Sequence, residues 1–220
     1  MFAQSDPITL KPDYLRAKRR FDIIVTLLLL PFLCPIVLLV ALAIRLDSRG
    51  PIFFRQTRIG HDGWTFTLLK FRSMVANNDD ALHRSAVQRF IQGQQLNPHT
   101  SNANYYKLAN DRRITRVGKF IRKTSLDELP QFWNIVRGEM SLVGPRPPLP
   151  YEVALYSPHD LLRLSGKPGL TGLWQVYGRN RVPFEMMVQM DIAYLEAQSL
   201  LFDAQLILLT IPGVLKQGGA

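Results

Sequence analysis

Two adjacent carboxylates, Asp127 and Glu128, follow a basic run in the second half of the chain. Ser125 and Glu128 fit the S-x-x-E pattern of a helix capping box, where acids are favourable. A helix N-terminus behind many cations also attracts phosphate. A carboxylate beside a bound phosphate needs a cation between them, which suits a divalent-metal ligand or a nucleophile that attacks phosphorus. The pattern leaves two interpretations open, a helix cap and a catalytic pair.

The charge balance favours anionic partners. The 220 residues include 27 Lys and Arg against 17 Asp and Glu, a formal net charge of +10. Nucleic acid, acidic lipid headgroups and phosphorylated small molecules all suit such a field. No standard nucleic-acid motif is present, so we expect no nucleic-acid partner. Cys34 is the one cysteine, which excludes an intrachain disulfide, and the four histidines lack metal-ligand spacing.

An apolar segment covers residues 21–44. Residues 23–44 as a straight helix would be about 33 Å long, enough to cross a bilayer core of about 30 Å. Pro31 and Pro35 each remove a helical hydrogen bond, and basic residues flank both ends, so the positive-inside rule gives no direction. A spanning helix and a re-entrant helix that bends at the prolines both fit. A cleaved signal peptide fits less well, because the run is long and Arg45 follows it at once.

The remaining sequence has mixed strand and helix patterns. Strand-like runs at residues 52–54 and 65–71 flank the turn-forming residues 61–63 and predict a hairpin. Helical periodicity predicts a helix at residues 79–92. A second periodic run, residues 112–123, predicts an amphipathic basic helix. The pattern fits a helix on a membrane surface and, equally, a solvated basic face over an apolar core stripe.

Four motifs occur in a fixed order: KRRFDIIVTLLLLPFLCP, KFRSM, DRRITRVGKFIRKTSLDELPQFWNIVRGEMSLVGPRP and KPGLTGLWQVYGR. Together they closely resemble the bacterial sugar transferase family, the monotopic phosphoglycosyl transferases, in its small core-domain form. The resemblance covers nearly everything from Lys18 to about Lys216. It implies transfer of a sugar 1-phosphate from a UDP-sugar to polyprenyl (undecaprenyl) phosphate, with release of UMP, as the first membrane step of exopolysaccharide synthesis.

The resemblance places the family's catalytic Asp-Glu pair on Asp127 and Glu128. It implies that Asp127 attacks the β-phosphorus to form an aspartyl-phosphosugar intermediate, that Glu128 assists the lipid phosphate, and that both residues bind Mg²⁺. Direct attack by the lipid phosphate is the alternative within this class. A non-catalytic, membrane-anchored, anion-binding module is the alternative outside it. No residue indicates which sugar is transferred.

Five cations are candidates for substrate binding: Lys70, Arg72, Arg113, Arg146 and Arg179. Lys70 and Arg72 of KFRSM and Arg146 of GPRP are expected at phosphates, because a planar guanidinium can hold two oxygens of a diphosphate. Arg179 is expected to line the nucleotide site. Trp174 could stack on the base, although a core position is the simpler interpretation.

The predicted architecture is a small mixed α/β, membrane-associated domain with an N-terminal re-entrant helix and interfacial amphipathic helices. Residues 1–20 form a basic N-terminal segment, residues 21–45 the membrane helix, and residues 46–220 a cytoplasmic catalytic domain. Within this domain, residues 181–216 predict one or two helices.

The resemblance also implies how the membrane helix is broken and where the protein resides. The family breaks this helix at a Ser-Pro pair, which is Cys34-Pro35 here, and Pro31 is added. The expected location is the cytoplasmic face of the bacterial inner membrane. The expected partners are a UDP-sugar, polyprenyl phosphate and anionic lipids, and a homodimer is left open.

Overall fold

The structure, a computed structural model, describes residue 8 and residues 11–75, 81–94, 113–178 and 182–217. It begins with a long helix, α1 (Pro12–Asp47), and a pair of strands, β1 (Phe53–Ile59) and β2 (Thr65–Phe71). The elements that follow are α2 (Ala81–Ile91), α3 (Arg116–Lys123), α4 (Gln131–Arg137), β3 (Ser141–Val143), α5 (Pro150–Val153), β4 (Gly169–Thr171), α6 (Leu173–Tyr177), α7 (Phe184–Ala197) and α8 (Leu200–Gln217). The described chain is a mixed α/β protein, as predicted.

The predicted hairpin is confirmed. β1 and β2 pair antiparallel in a register that sets Phe53 opposite Phe71, and β1 extends beyond the predicted residues 52–54. The turn between the strands holds Asp62 in the left-handed region at φ 52°, which Asp tolerates better than most residues. β3 and β4 form a separate parallel pair.

The predicted helices are confirmed with one change of length. Residues 79–92 contain α2, and the segment predicted at residues 181–216 contains α7 and all but the last residue of α8. The basic helix starts later than predicted, because Arg113 and Ile114 pair with the segment after β2. α3 therefore begins only after Thr115, whose hydroxyl accepts a hydrogen bond from the Gly118 amide at 2.9 Å.

Gly118 allows α3 to pack directly on the chain that follows β2. A Cβ at this position would overlap the carbonyl oxygen of Ser73, which also accepts a hydrogen bond from the Thr115 amide at 3.2 Å. The glycine weakens the helix but permits this approach. On its buried side α3 packs Ile121 against Phe71.

α1 contacts the rest of the protein near both ends. Its buried residues are Lys18, Asp22, Thr26, Val40 and Ile44. Residues 27–39 between them are all apolar and none is buried, with Phe32 73% and Leu38 70% exposed. The helix continues through Pro31 and Pro35, so the predicted break at Pro31 and Cys34-Pro35 does not interrupt the helix. By length and composition α1 is compatible with a membrane span, and it is the one helix of the described residues that passes this test.

A buried carboxylate clamps the N-terminal end of α1 to the domain. Asp203 on α8 is fully buried and accepts hydrogen bonds from Lys18 Nζ at 2.7 Å, Tyr14 at 2.9 Å and Tyr194 at 2.6 Å. Three donors satisfy the charge that burial would otherwise make costly. The clamp therefore holds α1, α7 and α8 together.

Candidate active site

The dyad lies in a 3₁₀ turn, residues 126–128, between α3 and α4. Ser125, the residue before this turn, adopts a left-handed conformation (φ 55°, ψ 14°), and its side chain makes no capping hydrogen bond. The capping-box interpretation of Ser125 and Glu128 is therefore wrong. Positive φ is rare for a residue with a Cβ and occurs often at functional sites.

Lys70 reaches the dyad from β2. Its Nζ donates to Oε1 of Glu128 over 2.6 Å, and the Lys70 and Glu128 side chains are 26% and 34% exposed. The ion pair is therefore partly shielded and still open to a ligand. The structure brings together the predicted Lys70 and the predicted Glu128.

The two carboxylates differ in acidity. Burial raises the pKa of Asp127 to about 6, and the charge of Glu128 adds to this rise against the opposing charges of Lys70 and Arg122. Burial also acts to raise the pKa of Glu128, but the charge and hydrogen bond of Lys70, followed by the charge of Arg146, hold that pKa below its ordinary value. Glu128 therefore stays ionised at a pH where Asp127 can take up a proton.

Two arginines extend the positive field around Glu128. Arg146, in the GPRP loop, places Nη1 3.6 Å from Oε2 of Glu152. Arg58 on β1 is 7% exposed and donates to the Pro147 carbonyl at 2.8 Å. Burial, with the neighbouring charge of Arg146, lowers the pKa of Arg58 to about 10. Both arginines favour the ionised form of Glu128.

A third arginine supports the same loop from inside the domain. Arg163 is 1% exposed and donates to the Arg146 carbonyl at 3.3 Å and to the Tyr156 hydroxyl at 2.9 Å. It also forms a buried ion pair with Asp191. These contacts fix the backbone from which the Arg146 side chain extends. No local sequence pattern separates Arg58 and Arg163 from surface arginines.

The guanidinium of Arg72 makes its hydrogen bonds just after the C-terminal end of α1. Arg72 is 5% exposed, and its guanidinium donates to the carbonyls of Ser48 at 2.8 Å and Arg49 at 2.9 Å, and to the Ser48 hydroxyl at 2.9 Å. These contacts close the C-terminal end of α1. They give Arg72 a structural role, and its predicted contact with phosphate stays a prediction.

The other predicted residues have different outcomes. Trp174 is 4% exposed and packs in a core cluster with Phe184 and Met187, which supports the core interpretation. The Arg113 carbonyl accepts a hydrogen bond from the Val75 amide at 2.9 Å, and its role in substrate binding stays a prediction. Arg179 lies outside the described residues.

The dyad offers oxygen ligands of the kind that Mg²⁺ prefers. Mg²⁺ commonly binds one or two carboxylates and completes its coordination with water and substrate phosphates. Within the described ranges, no group of three or more His, Cys, Asp or Glu side chains could hold a metal ion. Asp127 and Glu128 thus fit a Mg²⁺ ion that a phosphorylated substrate also coordinates, and do not fit an all-protein metal site.

Fold and site together define a membrane-associated α/β protein whose carboxylate pair lies among cations. The chain belongs to the bacterial sugar transferase family, whose model matches residues 13–217. This confirms the resemblance that the four motifs carry.

Curated relatives agree with this family. The chain is 43% identical over 203 residues to the UDP-galactose-lipid carrier transferase of Erwinia amylovora, covering 92% of this chain and 41% of that protein. It is 43% identical to the exopolysaccharide production protein ExoY of Sinorhizobium fredii, covering 93% of this chain and 88% of ExoY. It is 38% identical to the UDP-glucose:undecaprenyl-phosphate glucose-1-phosphate transferase of Escherichia coli, covering 88% and 39%. The chain thus spans about two fifths of the longer relatives and most of ExoY.

Proposed function

We propose that this protein transfers a sugar 1-phosphate from a UDP-sugar to undecaprenyl phosphate and so starts the synthesis of a surface polysaccharide. The names of the Erwinia and Escherichia relatives support this reaction class. The observation that carries the proposal is the Asp127–Glu128 pair with Lys70 bonded to Glu128 at 2.6 Å. Both substrates carry phosphate, and the cations of the site suit them.

Asp127 is the nucleophile of the proposed first step. One of its carboxylate oxygens attacks the β-phosphorus of the UDP-sugar, the bond from that phosphorus to the bridging oxygen breaks, and UMP leaves with the electron pair. The carboxylate must be ionised to attack, and its pKa of about 6 leaves it mostly ionised at neutral pH. In the second step an oxygen of the lipid phosphate attacks the same phosphorus and releases Asp127.

Glu128 positions the reacting groups in this proposal. A carboxylate whose pKa is lowered by Lys70 and Arg146 is a weak proton acceptor, so its charge is better used to orient a cation or Lys70. Asp127 and Glu128 would hold Mg²⁺, which would neutralise the diphosphate and stabilise the charge of the leaving UMP. Arg146 is the cation best placed to bind the donor diphosphate.

We also propose that α1 is re-entrant. Near its N-terminal end, Arg19 donates to the carbonyls of Ile135 at 2.5 Å and Val136 at 2.8 Å, at the end of α4. Near its other end, Asp47 accepts a hydrogen bond from the Val117 amide of α3 at 3.1 Å. A spanning helix would separate its ends by a bilayer core of about 30 Å. Contacts of both ends with one domain favour a helix that enters and leaves on the same side.

The same contacts support an active site at headgroup level. Because α3 and α4 are each tied to an end of α1, the dyad between them is held close to the membrane surface. α3 carries an exposed basic face that includes Lys119 and Lys123, and Phe120 on that helix is 60% exposed. On α4, Trp133 is 56% exposed. Basic side chains next to exposed aromatics are typical of a bilayer interface with anionic lipids.

α8 supports the membrane assignment independently. Its buried side holds Asp203 and Leu206, whereas its outer side exposes Leu201 at 71%, Leu208 at 65% and Ile211 at 53%. In a helix surrounded by water, the exposed face is normally polar and the buried face apolar. α8 departs from this pattern, because its exposed face is apolar and its buried face contains Asp203. We assign the outer face of α8 to lipid contact beside α1, on the cytoplasmic face of the inner membrane.

Release of UMP tests the proposed function. Purified protein in nanodiscs with undecaprenyl phosphate and Mg²⁺ is offered a panel of UDP-sugars, and at least one should yield UMP and a lipid-linked sugar diphosphate. A donor labelled in the β-phosphate should label the wild-type protein when lipid is omitted, and should not label D127N. Turnover without protein labelling would favour direct attack by the lipid. No UMP from any donor would reject the transfer.

A further inference from the structure

A buried asparagine on α4 contacts the edge of β2 beside the dyad. Asn134 is 1% exposed. Its Nδ2 donates to the Thr67 carbonyl at 2.7 Å and to Oε2 of Glu139 at 2.7 Å, and its Oδ1 accepts a hydrogen bond from the Leu69 amide at 3.1 Å. A single side chain thus donates to β2 and accepts from β2 at once.

These two backbone groups lie on the edge of β2 that faces away from β1. Successive residues of a strand direct their amides and carbonyls to alternate edges. The Arg72 amide bonds to the Ile52 carbonyl on the β1 side, so the odd-numbered Thr67 and Leu69 face the opposite edge. β2 has no strand partner there in the described sheet. Asn134 takes the place of that partner.

The contact joins β2 to the dyad segment at a second point. Leu69 immediately precedes Lys70, and Asn134 lies six residues after Glu128. The Asn134–Leu69 hydrogen bond and the Lys70–Glu128 ion pair at 2.6 Å therefore connect the same two pieces of chain. A lysine side chain is flexible, so the position of its backbone limits where its ammonium group can go.

We propose that Asn134 is a positioning residue that holds the Lys70 backbone at the distance needed for the ion pair with Glu128. The proposal rests on the proposed function, in which the Lys70–Glu128 ion pair lies beside the nucleophile. The side chain of Asn134 bonds to Thr67, Leu69 and Glu139 and acts on Lys70 through β2.

The chemistry of the contact requires an amide side chain. Alanine or leucine at position 134 would leave the Leu69 amide and the Thr67 carbonyl without their partner, at the cost of an unsatisfied buried group. Aspartate could accept from Leu69, but it would set a carboxylate against the Thr67 carbonyl and the Glu139 carboxylate. The E139Q change supplies a donor to that aspartate, so N134D/E139Q should recover part of what N134D loses.

A double-mutant cycle tests whether Asn134 acts through Lys70. N134A should lower kcat about tenfold, since small misplacements in an active site have effects of this size or larger. In the K70A background, N134A should change kcat less than twofold although it still lowers Tm. An equal loss of kcat in both backgrounds would overturn the proposal. I135V is the matched control, because Ile135 is a fully buried neighbour on α4; it should lower Tm and leave kcat unchanged.

A second measurement needs no transferase activity. Amine acylation followed by mass spectrometry gives the labelling of Lys70 relative to the exposed Lys119. N134A should raise this ratio several-fold, and N134D/E139Q should return it towards the wild-type value. An unchanged ratio in folded N134A would overturn the proposal. If N134A changes the labelling ratio but the wild-type protein releases no UMP from any donor, the proposed function is rejected and the positioning role of Asn134 is kept.

Discussion

Lys70 Nζ and Glu128 Oε1 lie 2.6 Å apart, although the two residues are 58 positions apart in the chain. The ion pair gives the dyad its asymmetry. Lys70 holds the pKa of Glu128 below its ordinary value, whereas burial leaves the pKa of Asp127 raised to about 6. One carboxylate is thus a fixed charge, and its neighbour changes its protonation state near pH 6.

K70M should lower kcat on the order of a hundredfold, the size expected when one charged group is removed from an electrostatic site. Without the ammonium group the pKa of Glu128 and that of Asp127 should both rise, because Lys70 lowers each of them. The acid limb of the pH–kcat profile should move to higher pH. K70R is the control and should keep more activity than K70M. A K70M enzyme with wild-type kcat and pH profile would contradict this role.

D127N should be more stable than the wild type in metal-free buffer above about pH 6. The folded pKa of Asp127, about 6, exceeds the ordinary value of 3.8, so the folded protein binds this proton more tightly than the unfolded chain does. The contribution of Asp127 to wild-type stability therefore falls as the pH rises from 3.8 to about 6. Asparagine does not ionise and avoids a loss on the order of 2 kcal/mol.

Thermal unfolding of both proteins across pH 4–8 with EDTA measures this effect. The Tm difference should be small near pH 4, grow up to about pH 6 and stay constant above it. A difference that is constant over the whole range would show that ionised Asp127 is not destabilised by burial.

The sequence was sufficient to predict the hairpin and the helices α2, α3, α7 and α8, because periodicity and turn residues are local signals. It did not separate Lys70 from Arg72, which both belong to KFRSM. Residues two apart share a face only while a strand continues, and β2 ends at Phe71 between them. Arg72 then turns to Ser48 at the end of α1, a tertiary contact that no local pattern contains.

The capping-box interpretation of the dyad segment was wrong for a related reason. The S-x-x-E pattern assumes that Ser125 is extended and precedes a helix, but Ser125 is left-handed and precedes a 3₁₀ turn. Arg58 and Asn134 were missed because their burial depends on loops and strands that are distant in sequence. Of these two residues, only Asn134 had a signal in the sequence, because it is a polar residue among the apolar residues of QFWNIV.

Arg72 and Arg146 should respond differently to loss of their charge. R72M removes three hydrogen bonds to Ser48 and Arg49 and should lower Tm by several degrees, with little change in KM for the UDP-sugar. R146M should raise that KM about tenfold or more, since Arg146 is the proposed diphosphate ligand. Steady-state kinetics and thermal unfolding of both variants check this. A higher KM in R72M with unchanged Tm would return Arg72 to the substrate site.

G118A should destabilise the protein although alanine favours a helix by about 1 kcal/mol over glycine. The added Cβ would overlap the Ser73 carbonyl oxygen, so α3 must move away from the chain after β2. Because the dyad follows α3 directly, kcat should fall as well. The matched control is G63A at the exposed hairpin turn, where a Cβ meets no atom within 4 Å; its positive φ of 83° affects stability alone. Equal kcat in G118A and wild type would contradict the packing argument.

Trp133 should be in contact with lipid, and its fluorescence can show this. The other tryptophans provide controls: Trp174 is 4% exposed, and Trp64 is 80% exposed. Trp64 lies directly before β2. Phe71, at the other end of β2, belongs to the same core cluster as Ile44 of α1. A strand of seven residues is about 23 Å long, which sets Trp64 far from that end of the membrane helix.

Single-tryptophan variants in nanodiscs with bromine-labelled acyl chains should therefore give three responses. Lipid bromines should quench Trp133, aqueous acrylamide should quench Trp64, and neither should quench Trp174 strongly. Quenching of Trp133 by acrylamide alone would place α4, and with it the dyad, away from the bilayer. Since Arg19 ties α4 to the N-terminal end of α1, that result would also remove the support for a helix whose two ends lie on the same membrane surface.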